Sequence, residues 1–140
     1  MHFALSSLIE APSQPTVLLV DDDENILDVV QESLRDAGYS VVTAANGAQA
    51  LQILNEDAGR IDVVFSDISM PGGMSGIELA RHAYEVRPAL RVILTSGYSP
   101  NWLPEFPPNC EFLPKPYEMS DLDRRLRRKR RPTDQATLST

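Results

Sequence analysis

Four separated parts of the chain carry side chains that could do chemistry together: Asp21, Asp22 and Asp23; Asp67; Thr95 with Ser96; and Lys115. Crowded carboxylates repel and raise one another's pKa unless a cation joins them. Oxygen donors without histidine or cysteine suit a hard ion, and Mg2+ is the natural candidate. A lysine across such a site neutralises further negative charge or binds an anion, and a hydroxyl can donate to the same anion. A divalent ion, a nucleophilic carboxylate, a lysine and a hydroxyl are the parts that phosphoryl transfer to an aspartate requires.

The elements that must bring these groups together follow from apolar periodicity. "TVLLV" (16–20) reads as a strand buried on both faces. "ENILDVVQESLRDAG" follows at helical spacing, with Leu27, Val30, Leu34 and Ala37 inward and Gly38 as its stop. "YSVVTAA" (39–45) is a second strand, and 46–59 is a helix capped by Asn46 with Ala50, Leu51 and Leu54 inward. "IDVVFSD" (61–67) is a third strand, "MPGGMSG" (70–76) a loop, and 77–87 a helix halted by Pro88. "LRVILTS" (90–96) is a fourth strand and "CEFLP" (110–114) a short fifth. Between them Pro104, Pro107 and Pro108 argue against a full helix. The last helix spans 119–131, capped by Ser120, with Met119, Leu122 and Leu126 on one side. Alternating strands and helices predict a parallel sheet covered on both faces. Ligands then lie beyond the carboxyl ends of the strands, which is where the four chemical groups fall.

"VLLVDDDE", "FSDISMPGGMSGIEL", "VILTSGY" and "FLPKPYE" resemble the four signature blocks of the response-regulator receiver domain of two-component signalling. The resemblance covers about residues 16 to 130. It implies a flavodoxin-like α/β fold with strand order 2-1-3-4-5 and a helix between strands four and five, which the prolines here leave short or irregular. It implies that Asp67 is the phospho-acceptor, served by a histidine kinase or a histidine phosphotransfer protein. It implies that Asp22 binds Mg2+ directly and Asp21 through water, with Asp22 and Asp23 as the alternative pair, and that Ser69 offers its backbone carbonyl to the metal. Thr95 and Lys115 resemble the residues that meet the phosphoryl oxygens. Phe112 stands at the family's switch aromatic, and Pro116 at a position that commonly carries a cis bond. The loop "PGGMSG" is one residue longer than the family's usual form, and similar loops and "TSGY" occur in receivers of hybrid sensor kinases.

Composition narrows the remaining classes. Seven of the 13 basic residues lie in "RRLRRKRR" (124–131), so six stand elsewhere against 20 acids. The body should repel nucleic acid. The run itself reads as a solvated helix face or as a docking patch for an acidic partner or nucleic acid. A single cysteine, Cys110, excludes an internal disulfide, no apolar run reaches membrane length, and the first 15 residues make a poor signal peptide. The expectation is a cytoplasmic protein with a loose lead (1–15), a receiver (16–131) and a disordered tail (132–140). About nine residues after the last helix leave no room for a DNA-binding domain, which fits a single-domain receiver, a phosphate relay or sink, or the receiver portion of a hybrid kinase. His2 and His82 have no metal-like partner and read as surface residues, and Trp102 as a loop anchor or partner contact. A haloacid-dehalogenase type phosphatase would want Thr or Val where Asn25 stands. A dinucleotide-binding module would need G-x-G-x-x-G after strand one. A pseudo-receiver that never carries phosphate is opposed by the complete set of acids, threonine and lysine.

Overall fold

The computed structural model describes residues 15–97 and 106–128. Its strands are β1 (Thr16–Val20), β2 (Ser40–Ala44), β3 (Val63–Asp67), β4 (Arg91–Ser96) and β5 (Cys110–Pro114). They pair in parallel, as the alternation of elements predicts, in the order β2-β1-β3-β4-β5 that the resemblance implies. The helices are α1 (Glu24–Asp36), α2 (Gly47–Asp57), α3 (Gly76–Val86) and α4 (Met119–Arg127).

The unbroken apolar strands are explained by the two layers that cover the sheet. Along β1, Leu18 and Val20 face the layer that also holds Leu54, Ile77 and Leu94. Val17 and Leu19 face the other way, toward Leu34, Phe65, Leu122 and Leu126. Side chains alternate between faces, so a central strand must be apolar at every position.

The helix ends carry their own signals. Asp23 caps α1, its side chain accepting from the Asn25 N–H at 2.9 Å. Asn46 caps α2, accepting from Gln49 N–H at 2.8 Å. Ser75 and Glu78 form a reciprocal capping box on α3. After α1 the chain turns through Gly38 at φ 101°, a conformation that costs little without a Cβ.

Some boundaries differ from the sequence reading. Ala37 ends α1 and is exposed rather than inward, because the helix stops before its next turn reaches the sheet. α2 gives way at Asp57 to a tighter 3-10 turn over Ala58–Arg60. The cap of α4 is Glu118, not Ser120, and the Asp121 carboxylate accepts from the Glu118 N–H at 3.2 Å. This helix ends at Arg127 rather than continuing to 131.

Among the described residues no helix joins β4 to β5. Residues 106–109 end in a turn whose Cys110 N–H donates to the Pro107 carbonyl at 3.1 Å. The rest of that connection, including Trp102, lies outside the described residues, as do the lead (1–14) and residues 129–140. No helix of the described residues is long and apolar enough to cross a membrane.

Candidate functional site

Strand register places the chemical groups. Val20 pairs with Ser66, so Asp21 leaves β1 at the level where Asp67 ends β3. Asp67 in turn pairs with Thr95. Ser96 pairs with Pro114, so Lys115 emerges from β5 beside them, and its backbone N–H donates to the Ser96 carbonyl at 3.0 Å. Four distant segments thus end on one rim because their strands start and stop together.

Side-chain geometry completes the arrangement. Lys115 Nζ donates to Asp67 Oδ2 at 3.0 Å. Asp21, Asp22 and Asp67 each offer a carboxylate oxygen, and these oxygens all lie within 4.8 Å of one another. Asp21 is 5% exposed and Asp67 9%, whereas Asp22 faces solvent. Asp23 is turned to its capping role, and its own N–H donates to Asp21 Oδ1 at 2.9 Å. The Ser69 N–H donates to Asp67 Oδ1 at 3.2 Å, and its side chain is exposed.

Electrostatics follow from this crowding. Burial pushes the Asp21 carboxyl above its ordinary value of 3.8, and the charges of Asp67 and Asp22 push the same way. The N–H of Asp23 and the ammonium of Lys115 oppose the shift without cancelling it. A single lysine against three carboxylates leaves excess negative charge, and an all-oxygen set of this size suits a hard dication. Thr95 Oγ1 is buried, with the residue 3% exposed, and has no hydrogen-bond partner among the described residues. Such a group is costly unless something else binds it.

Backbone contact holds Asp67 in place. The Ile68 N–H donates to the Thr95 carbonyl at 3.0 Å, and the Gly76 N–H to the Ile68 carbonyl at 2.9 Å. A Cβ at Gly76 would collide with the Asp67 carbonyl oxygen and stand 2.8 Å from Ile68 Cα. The start of α3 therefore presses directly on the backbone of Asp67, which only glycine permits.

Phe112 sits half-buried on β5, opposite Leu94, with its ring 5.9 Å from that of Phe106. The Lys115–Pro116 peptide bond is cis. His82 is exposed, 3.6 Å from Glu85 and on a different element from the site residues. Sequence reasoning passed over Tyr117. Its ring meets Phe65 edge-on at 5.6 Å, and burial, then Asp21 and Asp67, push its phenol up to about 12. Its place two residues after Lys115 was the available signal. Beside it an open groove of about 750 Å³ runs between α1 and the β5–α4 loop, lined by Ile26, Val29, Lys115, Pro116, Tyr117 and Met119.

Residues 17–127 match the family model described as the response regulator receiver domain. The chain is 36% identical over 110 residues to the sensor kinase CckA of Brucella abortus, an alignment covering 76% of this chain and 12% of CckA. It is 35% identical over 109 residues to the response regulator receiver protein CpdR of the same organism, covering 76% of this chain and 88% of CpdR. Among solved structures, the response regulator TrrA of Thermotoga maritima in complex with Mg(2+)-BeF superposes with a TM-score of 0.69. That pair is 30% identical and covers 81% of this chain and 96% of TrrA.

Proposed function

This chain belongs to the response regulator receiver domain family, and from that premise we propose that Asp67 is the residue that accepts the phosphoryl group. The observation that carries the assignment is the rim itself, with Lys115 Nζ 3.0 Å from Asp67 Oδ2 and the carboxylates of Asp21 and Asp22 gathered beside it. A histidine kinase or histidine phosphotransfer protein is the proposed donor. An Asp67 oxygen attacks phosphorus in line, a P–O bond forms, the P–N bond to the donor histidine breaks, and the imidazole nitrogen keeps the electron pair.

The donor set fits Mg2+, and Asp21, Asp22, Asp67 and the Ser69 carbonyl are the residues we assign to hold it. When bound, the ion would offset the charge on the phosphoryl oxygens and draw the carboxylates together. Asp23, spent on capping α1, is the weaker choice for the metal pair. Lys115 exchanges its bond to the free carboxylate for one to the phosphoryl group. The Thr95 hydroxyl gains there the partner it otherwise lacks. Phosphorylation adds a charge of about −1.5 to −2 to an already acidic rim, so the Thr95 and Lys115 loops must follow it, and Phe112 is the aromatic placed to repack.

The groove beside Lys115 suits docking of the donor, since it borders the site and presents Val29, 65% exposed, on α1. As a phosphorelay component of the cytoplasm, the domain would switch protein contacts. The identity with CckA keeps a hybrid-kinase or relay setting as the second reading. Incubation with acetyl phosphate and Mg2+, followed by intact mass, tests the central assignment. One phosphoryl group should be gained by the wild type and none by Asp67→Asn; labelling of Asp67→Asn to the wild-type extent would refute it. EDTA should suppress the gain.

A further inference from the structure

β5 is an edge strand, with a neighbouring strand on one side only. It carries Phe112 and leads directly into Lys115, so a shift of this strand moves both. A side chain from α4 restrains it: Arg125 Nη1 donates to the Phe112 carbonyl at 3.1 Å. The adjoining residue, Glu111, spends its carboxylate unevenly. Its Oε2 accepts from Arg91 Nε at 3.1 Å and Arg91 Nη2 at 2.8 Å. Its Oε1 is buried and has no hydrogen-bond partner among the described residues, although Arg125 Nη1 stands 3.8 Å away. An arginine that merely fastened α4 to β5 would close a two-bond fork on this carboxylate. Here one guanidinium nitrogen has two acceptors in reach and a bond to only one.

Reaching the second acceptor takes a movement of about 1 Å, from 3.8 Å to the usual length of a charge-assisted bond. A buried carboxylate oxygen without a partner is costly, and a bond between two ionised groups is stronger than one to a neutral carbonyl. The two arrangements are consequently close in free energy, and the position of the Phe112 carbonyl decides between them. Taking Asp67 as the acceptor, on which this inference rests, we propose that Arg125 is a positioning residue for the switch. In the unphosphorylated protein it holds β5 where Lys115 Nζ meets Asp67 Oδ2 at 3.0 Å. When Lys115 and Phe112 follow the phosphoryl group, the Phe112 carbonyl leaves Arg125, whose Nη1 turns to Glu111 Oε1. Arg91 carries the change onward. It binds Glu111 and also the carbonyls of Arg125 at 2.8 Å and Arg128 at 2.6 Å, where α4 ends. A Glu111 carboxylate shared with Arg125 loosens the hold of Arg91, so the last turn of α4 senses the state of the rim.

Isothermal titration of the full chain with beryllofluoride in Mg2+ tests this, through two variants of opposite expected sign. Arg125→Met keeps the apolar stem and removes the bond to Phe112, so the unphosphorylated arrangement loses support and affinity should rise at least about threefold. Glu111→Gln keeps an acceptor for Arg91 but removes the charge that draws Arg125 over, so affinity should fall by a similar factor. Arg125→Lys, which still brings a cationic donor to the Phe112 carbonyl, should return affinity close to wild type. Amide exchange over residues 125–128 should quicken when beryllofluoride binds the wild type. Melting midpoints taken alongside identify any variant that fails to fold. A purely structural arginine would move both affinities in the same direction or neither, and either result in folded variants would overturn the role of Arg125. Exchange over 125–128 that beryllofluoride leaves unchanged would overturn it too. A wild type that takes up no beryllofluoride would instead sink the reading of Asp67, and this inference with it.

Discussion

Thr95 is the most informative single side chain in the site. Its hydroxyl is buried and unpaired among the described residues, while its backbone carbonyl is used by Ile68. A hydroxyl kept dry without a partner costs about 1–3 kcal/mol, and valine has nearly the same shape without that cost. Thr95→Val should therefore stabilise the unphosphorylated protein by about 1 kcal/mol in urea unfolding. The extra stability that beryllofluoride and Mg2+ give the wild type should shrink in the variant. A variant less stable than wild type without ligand would mean that the hydroxyl already has a partner, and its role as a waiting phosphoryl ligand would fall. Charge tells a parallel story at Asp21, Asp22 and Asp23. The resemblance assigns Asp21 and Asp22 to the site and leaves Asp22 and Asp23 as the alternative pair, because all three acids follow the same strand. The geometry supports the first pair, with Asp23 capping α1 while Asp21 and Asp22 each offer a carboxylate oxygen within 4.8 Å of one of Asp67.

At the scale of elements, the rim was legible because strand ends are marked by abrupt changes from apolar to charged residues, at Val20–Asp21, Phe65–Asp67 and Leu113–Lys115. What sequence could not give was contact between elements. Gly76 reads as an ordinary loop glycine, yet the backbone of Asp67 occupies the space where its Cβ would be. The neighbouring Gly73 has open space around it and no positive φ. Gly76→Ala should cost about 1–3 kcal/mol, the range for forcing a methyl into a packed site, and should depress phosphoryl uptake by displacing Asp67. Gly73→Ala should be neutral or stabilise by up to about 1 kcal/mol, through fewer unfolded conformations. Thermal melts and acetyl-phosphate labelling of the two variants side by side would decide it, and equal behaviour would remove the argument that α3 positions the acceptor. The misplaced cap of α4 has a similar cause. Ser120 and Glu118 both precede the apolar face, and the reach of Asp121 back to the Glu118 N–H settles the start one turn of logic beyond local propensity.

For the whole molecule the governing fact is an acidic body, net charge −7 even with the arginine-rich end counted, whose carboxylates crowd most closely at one rim, where Asp21, Asp22 and Asp67 meet. Without a cation, that rim opposes folding. The sign is set by Asp21, whose pKa in the folded protein lies above the ordinary 3.8. In the window from about 3.8 up to that raised value the folded state holds more protons than the unfolded one. Stability of the metal-free protein from this group is thus complete below 3.8 and is lost as pH rises through the folded value. A dication reverses the slope, because it binds only the ionised set. Mg2+ at about ten times its Kd should add about 1.4 kcal/mol near neutral pH. That gain should fade on acidification sooner than an unperturbed aspartate would dictate, as protons compete for Asp21. NaCl at matched ionic strength should give only a small rise, since screening acts on exposed charges such as Asp22 and little on the buried Asp21 and Asp67. Asp22→Asn should remove most of the Mg2+ effect and leave the small salt effect intact. Melting curves in Mg2+ and in matched NaCl across pH would show it, and equal stabilisation by the two salts would mean that the rim is merely screened and holds no ion.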